Sequence, residues 1–232
     1  MVNPRAVTEE SLEAMQTLLA GAGVELGGED WAFFERLRLH ILARNALMNL
    51  TRLTARPDFF RKQVLDSLLP FEVVPDLKRL GAGCLVADLG SGAGFPGFVL
   101  ARMHPSWDIG LIERTQKKAA FLEETAAAFD LQNVFVVPMD ALEAGRTVPL
   151  LAARCEVVCA RAVGRMAPVT RAAAPLLRRD GLIVHYKGGD PDAQELADAR
   201  RTAAGLGLKM QEPFRYDLPP DAKRSVVLMA KR

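Results

Sequence analysis

Residues 88–97, with the sequence DLGSGAGFPG, decide the fold of this chain. They follow a short apolar run, CLVADL at 84–89, and precede a helical pattern, FVLARMH at 98–104. This stretch has a glycine at every second position, Gly90, Gly92 and Gly94. Glycine adopts backbone angles that other residues cannot, and its lack of a side chain lets a ligand approach the main chain. The first amides of the next helix point at whatever fills the loop. The stretch therefore predicts a strand, a ligand-binding loop and a helix.

The pattern continues after the loop with strands and helices in alternation. Apolar runs of strand length lie at 108–113, 133–138, 156–161 and 181–187, and helical patterns lie at 115–128, 141–144, 165–178 and 190–206. Such alternation predicts a mostly parallel sheet with helices on both faces. Two last strand patterns, at 207–215 and 224–231, add an antiparallel strand at one edge. We therefore expect an α/β, Rossmann-like fold with a mostly parallel seven-stranded sheet and one antiparallel strand.

The part of the chain before the loop is helical in pattern. Helical spacing runs over 8–20, over 29–49 and from Pro57 to about Leu69. Pro70 is expected to end the third helix or to shift it. We therefore expect two parts, an N-terminal helical extension of residues 1–80 packed on the sheet and a domain of residues 81–232 that carries the ligand loop.

Length and composition are those of an ordinary globular protein. Of 232 residues, 50% are hydrophobic and 25% charged, and the net charge of +2 does not by itself indicate nucleic-acid binding. The sequence has neither an apolar run long enough for a membrane span nor a secretory signal, so we expect a cytoplasmic protein without a membrane partner. We also expect a monomer. Its cysteines lack metal or disulfide spacing and are expected to be inert core residues, so no metal is predicted: Cys84, Cys155 and Cys159.

Positive charge is concentrated in one N-terminal stretch. Its members are Arg36, Arg38, Arg44, Arg52, Arg56, Arg61 and Lys62. Two interpretations remain open, a solvated helix face with long basic side chains and a face that binds phosphates.

An acidic residue on each side of the loop narrows the class of ligand. Glu113 lies nineteen residues after Gly94, at the end of the second strand, where an acid holds ribose hydroxyls. The loop also matches GxGxxG at 92–97, so a nicotinamide oxidoreductase is the alternative. Asp88 disfavours that alternative, because a carboxylate beside a pyrophosphate is repelled, whereas the sulfonium and ammonium of S-adenosylmethionine tolerate it.

Further short motifs lie before and after the glycine loop, in a fixed order along the chain. They are Asn49-Leu50-Thr51, Leu65-Asp66-Ser67-Leu68, the glycine loop, the run with Lys117, Lys118, Phe121 and Leu122, the pair Arg161-Ala162 and the pair Lys187-Gly188. With these motifs in order, the chain resembles the bacterial 16S ribosomal RNA guanine-N7 methyltransferase family, also called glucose-inhibited division protein B, over about residues 30–230. Two positions depart from the family pattern: Gln63 stands where a histidine is usual, and Leu142 where an acid is frequent, with Glu143 beside it.

The resemblance implies a class I methyltransferase fold, S-adenosyl-L-methionine as cofactor, and methyl transfer to N7 of a guanine in 16S ribosomal RNA of the small subunit. Together with the loop, it predicts a set of cofactor-binding residues: Asp88, Gly90, Gly92, Gly94, Phe95, Glu113, Arg114, Ala141, Leu142 and Arg161. Asn49 and Asp66 are expected to hold the helical extension on the sheet through hydrogen bonds, and direct contact with the target base is the alternative.

Methylation of guanine N7 requires mainly that the enzyme align the nitrogen, the methyl group and the sulfur that leaves. The N7 lone pair lies in the base plane, so no proton has to be removed before it attacks a sulfonium methyl. Arg161 is the candidate catalytic residue, in an orienting role, because a guanidinium can bind the cofactor carboxylate or guanine O6. The three histidines, His40, His104 and His185, are expected to be structural. RNA contacts are expected at Arg52, Arg56, Arg165 and Lys187.

Two other functions remain open from the sequence. The first is a methyltransferase that acts on small molecules or proteins, because a class I fold does not fix the substrate. The other is a nucleotide-binding or RNA-binding module without catalysis.

Overall fold

The computed structural model describes residues 16–17, 20–21, 23–218 and 222–231. The helix predicted at 8–20 lies largely outside these residues. The chain divides into two compact units, Met1–Arg79 with Asp217–Ala222, and Leu80–Tyr216 with Lys223–Arg232.

The first unit is helical. Its elements are α1 (Gly28–Met48), α2 (Arg56–Phe59), a π-helical turn (Phe60–Leu65), α3 (Asp66–Val73) and α4 (Pro75–Lys78). The carboxylate of Asp30 accepts a hydrogen bond from the Gly27 amide at the start of α1, and Asn49 ends that helix in the left-handed conformation. The Trp31 and Phe60 rings, 4.8 Å apart, join α1 to the π-helical turn.

The helix near Pro70 is longer than the sequence predicts. Pro70 lies inside α3, which continues to Val73. A proline removes one helical hydrogen bond. The segment keeps its helix because Leu68, Leu69 and Phe71 are buried, and burying each such side chain contributes about 1.5–3 kcal/mol.

The second unit contains the mixed sheet. Its strands are β1 (Leu85–Leu89), β2 (Asp108–Ile112), β3 (Val134–Val137), β4 (Cys155–Arg161), β5 (Leu177–Lys187), β6 (Leu208–Met210), β7 (Phe214–Leu218) and β8 (Ala222–Lys231). Their order is β3-β2-β1-β4-β5-β8-β6, and β7 pairs with β8. The first five pair in parallel, and β8 is antiparallel to β5 and β6. The predicted fold class is confirmed, and β7 is an eighth strand beyond the predicted seven.

Helices connect these strands and cover the sheet. They are α5 (Gly97–Met103), α6 (Gln116–Ala128), α7 (Ala141–Thr147), α8 (Met166–Ala173) and α9 (Ala193–Gly205). Apolar residues of α7, α8 and α9 form one buried cluster with β1, β4 and β5. The helix predicted to reach residue 178 ends at Ala173, because Pro175 follows and Leu177 already pairs with Cys155 in the sheet.

The strand order places a crevice beside β1. From β1 the chain builds the sheet outward through β2 and β3, then returns to the other side of β1 for β4. The connections that leave β1 and β4 therefore diverge at the carboxyl ends of these strands. A crevice at such a switch point is where open α/β sheets bind ligands.

Candidate functional site

The loop after β1 is built from glycines with positive φ. The φ angles of Gly90, Gly92 and Gly94 are 66°, 57° and 92°, in the region that favours glycine. The Gly90 amide donates to the Ile112 carbonyl at the end of β2 over 2.8 Å, and the Gly94 amide donates to the Ser91 carbonyl over 2.7 Å. The loop is therefore tied to β2 and folded back on itself, as its sequence predicts.

Asp88 is a buried carboxylate at the end of β1. One oxygen, Oδ2, accepts a hydrogen bond of 3.1 Å from the Gly97 amide at the start of α5. The other, Oδ1, is buried and has no hydrogen-bond partner among the described residues. Burial raises the pKa of Asp88 to about 7, although the Gly97 amide and the Arg161 charge lower it in part. An acceptor left without a partner at this depth is suited to a ligand that brings positive charge.

Glu113 closes the opposite side of the loop. Its Oε2 accepts from the Gly92 amide at 3.0 Å and its Oε1 from the Thr115 amide at 2.8 Å. A carboxylate oxygen has two acceptor positions, so each oxygen can still accept a hydroxyl. The carboxylate thus holds the loop and keeps capacity for a ribose, in the position that its spacing predicts.

A cavity of about 630 Å³ lies next to Glu113 in this unit. Its lining contains five of the predicted cofactor residues, Gly90, Glu113, Arg114, Ala141 and Leu142. The other five predicted residues are not part of that lining: Asp88, Gly92, Gly94, Phe95 and Arg161. The structure thus divides the predicted set into a cavity wall and a supporting loop beside β1 and β4.

Several lining residues were not anticipated from the sequence. Asp140 lines the cavity and its Oδ1 accepts from the Leu142 amide at 2.9 Å, which caps α7. Glu143, the acid next to Leu142, is absent from the lining. An aspartate directly before a short helix is a recognisable cap signal, and it could have pointed to Asp140. Val163, in the connection after β4, has no such signal.

Arg161 closes β4 beside the loop. Its guanidinium carbon lies 5.7 Å from the centre of the Phe95 ring, and its charge lowers the pKa of Asp88. The structure therefore brings together three predicted residues that do not line the cavity, Asp88, Phe95 and Arg161. The planar guanidinium is held over an aromatic ring, an arrangement that restricts its orientation.

Gln63 occupies the position where the family usually has histidine. It is buried in the π-helical turn of the first unit, and its side-chain amide donates to the Thr51 hydroxyl over 3.3 Å. This hydrogen bond joins the turn that leads into the Leu65-Asp66-Ser67-Leu68 motif to Thr51 of the Asn49-Leu50-Thr51 motif. An amide does not titrate near neutral pH, so this contact is independent of pH, unlike one made by histidine.

The residues predicted to contact RNA differ in exposure and in the ion pairs that they form. Arg52 is exposed, whereas Arg56 pairs with Glu35 over 3.0 Å. The Arg165 guanidinium is 3.9 Å from Asp198 and 4.0 Å from Asp192. Their RNA contacts stay predictions.

Lys187, also predicted to contact RNA, forms an ion pair with Glu195. Its ammonium is 2.6 Å from Oε1 of Glu195, and the same oxygen accepts from the Met166 amide at the start of α8 over 3.0 Å. The side chains of Lys187 and Glu195 are only 17% and 12% exposed. The pair therefore fixes the start of α8, and Lys187 would have to share its ammonium to bind a phosphate.

Lys187→Met is expected to lower the free energy of unfolding by roughly 2 kcal/mol, because Glu195 would remain largely buried without its cation. Urea denaturation followed by circular dichroism measures this loss. Lys209→Met, at an exposed position of β6, is the matched control and should unfold like the parent protein. An unchanged midpoint for Lys187→Met would contradict this role.

Four other titratable groups of the second unit pack against neighbouring residues and do not line the cavity. His185 is buried with Nε2 3.0 Å from the Thr170 hydroxyl, and burial lowers its pKa to about 3. His104 stacks on Trp107 at 3.8 Å. Burial raises the pKa of the Cys155 thiol to about 12 and that of Cys159 well above its usual range. Within the described residues, no cluster of potential metal ligands and no helix long and apolar enough to cross a membrane is found.

The chain is similar in sequence to ribosomal RNA methyltransferases. The family model for "rRNA small subunit methyltransferase G", GidB, matches residues 32–213. Ribosomal RNA small subunit methyltransferase G of Sorangium cellulosum is 39% identical over 187 residues, covering 81% of this chain and 76% of that protein. The protein of the same name from Carboxydothermus hydrogenoformans is 32% identical over 218 residues, covering 94% of this chain and 90% of its own length.

The fold is also that of solved methyltransferases. The structure of a 16S rRNA adenine-N1 methyltransferase from Catenulisporales acidiphilia superimposes with a TM-score of 0.54 and 13% identity, covering 65% of this chain and 86% of that one. At this identity the likeness concerns the fold alone.

Proposed function

The chain belongs to the rRNA small subunit methyltransferase G family, and from this premise we propose that it transfers a methyl group from S-adenosyl-L-methionine to N7 of a guanine in 16S ribosomal RNA. The observation that carries the proposal is the cavity beside Glu113 at the switch point between β1 and β4. Membership of the family supports the RNA substrate, and the cavity supports a nucleoside cofactor.

The residues of the site fit S-adenosylmethionine. When bound, this cofactor supplies an activated methyl group on a positively charged sulfur. Glu113 can accept hydrogen bonds from ribose hydroxyls, and Leu142, exposed at the cavity, offers apolar contact to adenine. The lack of a side chain at Gly90 lets the loop lie close to Val163, because a Cβ at position 90 would be 3.1 Å from the Val163 side chain. The unpartnered Oδ1 of Asp88 favours the cationic amino-acid end.

The protein's part in the reaction is alignment. Guanine N7 attacks through an in-plane lone pair, so no general base is needed, and no histidine lines the cavity. Arg161 can orient the cofactor carboxylate or guanine O6 from its place over Phe95. The catalytic contribution then lies in holding nucleophile and methyl group in line while the surrounding walls exclude water.

Cofactor affinity is expected to fall as the pH is lowered from about 8 to about 6. Asp88 has a pKa of about 7 because it is buried, so it takes up a proton over this range in the free enzyme. A cationic ligand favours its ionised form, and binding near neutral pH should therefore release a proton. Titration calorimetry in two buffers of different ionisation enthalpy measures that release.

Asp88→Asn is the control for this pH dependence. The amide oxygen of asparagine can still accept from the Gly97 amide but carries no charge. The proton release should disappear in the variant. Equal proton release by both proteins would show that another group, such as the cofactor ammonium, is responsible.

Methyl transfer to small ribosomal subunits tests the proposed function. Subunits from cells that lack this protein are incubated with the enzyme and radiolabelled S-adenosylmethionine, and the digested RNA is analysed by mass spectrometry. Label in 7-methylguanosine of 16S RNA is expected. Label only in small molecules or proteins, or cofactor binding without transfer, would contradict the proposal.

We further propose that residues 81–232 carry cofactor binding and catalysis, while residues 1–80 form the helical extension. The small subunit or its 16S RNA is the proposed partner, the protein acts as a monomer, and its proposed location is the cytoplasm, where ribosomes assemble. Size-exclusion chromatography with light scattering tests the monomer.

A further inference from the structure

A second cavity, of about 600 Å³, lies between α8 and α9 and shares lining residues with the cavity beside Glu113, which we call the cofactor cavity. We call the second cavity the α8–α9 groove. It is lined by Arg165, Ala167, Pro168, Arg171, Asp198, Arg201, Thr202, Gly205 and Leu206. Three of these residues are arginines and one is an acid, so the lining carries excess positive charge.

The arginines of the groove are held only by surface contacts. Asp198 lies close to Arg201 and 3.9 Å from Arg165, and the side chains of Arg165 and Arg201 are 56% and 69% exposed. Arg171 donates to the Thr202 hydroxyl over 3.3 Å. Exposed ion pairs contribute about 0–1 kcal/mol each, so a stronger anion can replace Asp198 at little cost.

The groove adjoins the cofactor cavity. Pro168 and Arg171, about one turn apart on α8, line both of them. The wall of the cofactor cavity contains three cations, Arg114, Lys118 and Arg171, and two acids, Glu113 and Asp140. A polyanion lying in the groove would therefore pass directly beside the cofactor cavity.

We propose that the α8–α9 groove binds the sugar–phosphate backbone of the RNA substrate next to the target guanine. The proposal rests on the proposed function, and it assigns Arg171 and Arg201 to RNA binding together with Arg165. Guanidinium groups match phosphate oxygens with paired hydrogen bonds, and an open groove between helices accommodates a flexible single strand. The RNA phosphates take the place of Asp198 as partners of Arg165 and Arg201.

The double variant Arg165→Gln/Arg201→Gln tests the groove without changing residues of the cofactor cavity. We expect its KM for small subunits to rise about tenfold at near-physiological salt, while kcat at saturating substrate and the Kd for S-adenosylmethionine stay the same. Affinity for deproteinised 16S RNA should fall in parallel, and its salt dependence should weaken by about 1.5 in log–log slope because two phosphate contacts are lost.

The matched control is Arg179→Gln/Arg200→Gln. Arg200 neighbours Arg201 on α9 and is likewise exposed and ion-paired, here with Glu212 at 2.6 Å, but neither control residue lines the groove. This variant should keep the parental KM. Thermal melting and cofactor affinity, measured on both double variants, show that each is folded.

Asp198→Asn provides a test of opposite sign. Removing the competing carboxylate should tighten RNA binding, by about threefold, if phosphates replace it. A purely structural role for these ion pairs predicts equal or weaker binding. That result would overturn the proposal, as would an unchanged KM in Arg165→Gln/Arg201→Gln.

The outcomes also separate this proposal from the proposed function. If the parent protein methylates subunits and the groove variant does so with the same KM, the groove is wrong and the function stands. If the parent protein itself transfers no label to 16S RNA, the function is wrong. A loss seen with subunits but not with deproteinised RNA would assign the groove to a ribosomal protein and overturn the RNA assignment.

Discussion

Gly94→Ala is expected to lower the affinity for S-adenosylmethionine by at least about 100-fold and to destabilise the protein by roughly 2–5 kcal/mol. Gly94 has a φ of 92°, which a residue with a Cβ rarely adopts. A Cβ there would also lie 2.1 Å from the Phe98 ring, which is completely buried. Either the ring and α5 move or the loop does, and the loop's shape is what the cofactor needs.

Calorimetric titration and urea denaturation measure the two effects. Gly205→Ala, at the end of α9, is the control, because nothing lies within 4 Å of the added methyl group there. It should retain parental affinity and stability. Cofactor binding by Gly94→Ala within about threefold of the parent protein would disprove the steric argument.

Arg161→Ala is expected to reduce methyl transfer by about 100- to 1000-fold, the usual effect of removing one positioned donor from an active site. The variant loses the guanidinium that lies over Phe95 beside the loop. Single-turnover transfer to small subunits measures the rate, and a separate titration measures cofactor affinity. Near-normal turnover would exclude the orienting role.

The Arg161 variants have a second readout that a merely structural residue would not give. The Arg161 charge lowers the pKa of Asp88, so its removal should move the pH profile of cofactor binding upward. Arg161→Lys keeps the charge without the planar donor group. It should restore the pH profile and recover the transfer rate only in part.

The sequence predicts the loop and its partners well because backbone requirements are local. Positive φ angles can be predicted at three glycines of the loop, Gly90, Gly92 and Gly94. The spacing from the loop to Glu113 follows from the length of one helix between two parallel strands. The family, the cofactor class and the fold class, predicted from linked motifs, are confirmed by the comparisons. The individual contacts of the site residues stay predictions.

The remaining features depend on packing between distant segments. Val163 and Arg171 line the cofactor cavity because β4 pairs with β1 and they lie in the connection and helix that follow β4, a placement that no spacing within the sequence encodes. The ion pair of Lys187 with Glu195 likewise joins a strand to a helix. Pro70 shows the same limit, because tertiary burial outweighs a local rule there.

The position of β1 between two strands from different parts of the chain has a consequence for synthesis. Val86 pairs with Ile109, which is close in sequence, but also with Val157, which leaves the ribosome much later. Non-local pairing of this kind is slow to form and completes the sheet late in folding. A nascent chain that ends before β4 can form the glycine loop and place Glu113 against it, yet it lacks one wall of the crevice. The capacity to bind the cofactor is therefore expected to arise in a single step, when β4 joins the sheet and α8, which follows it, completes the cavity wall.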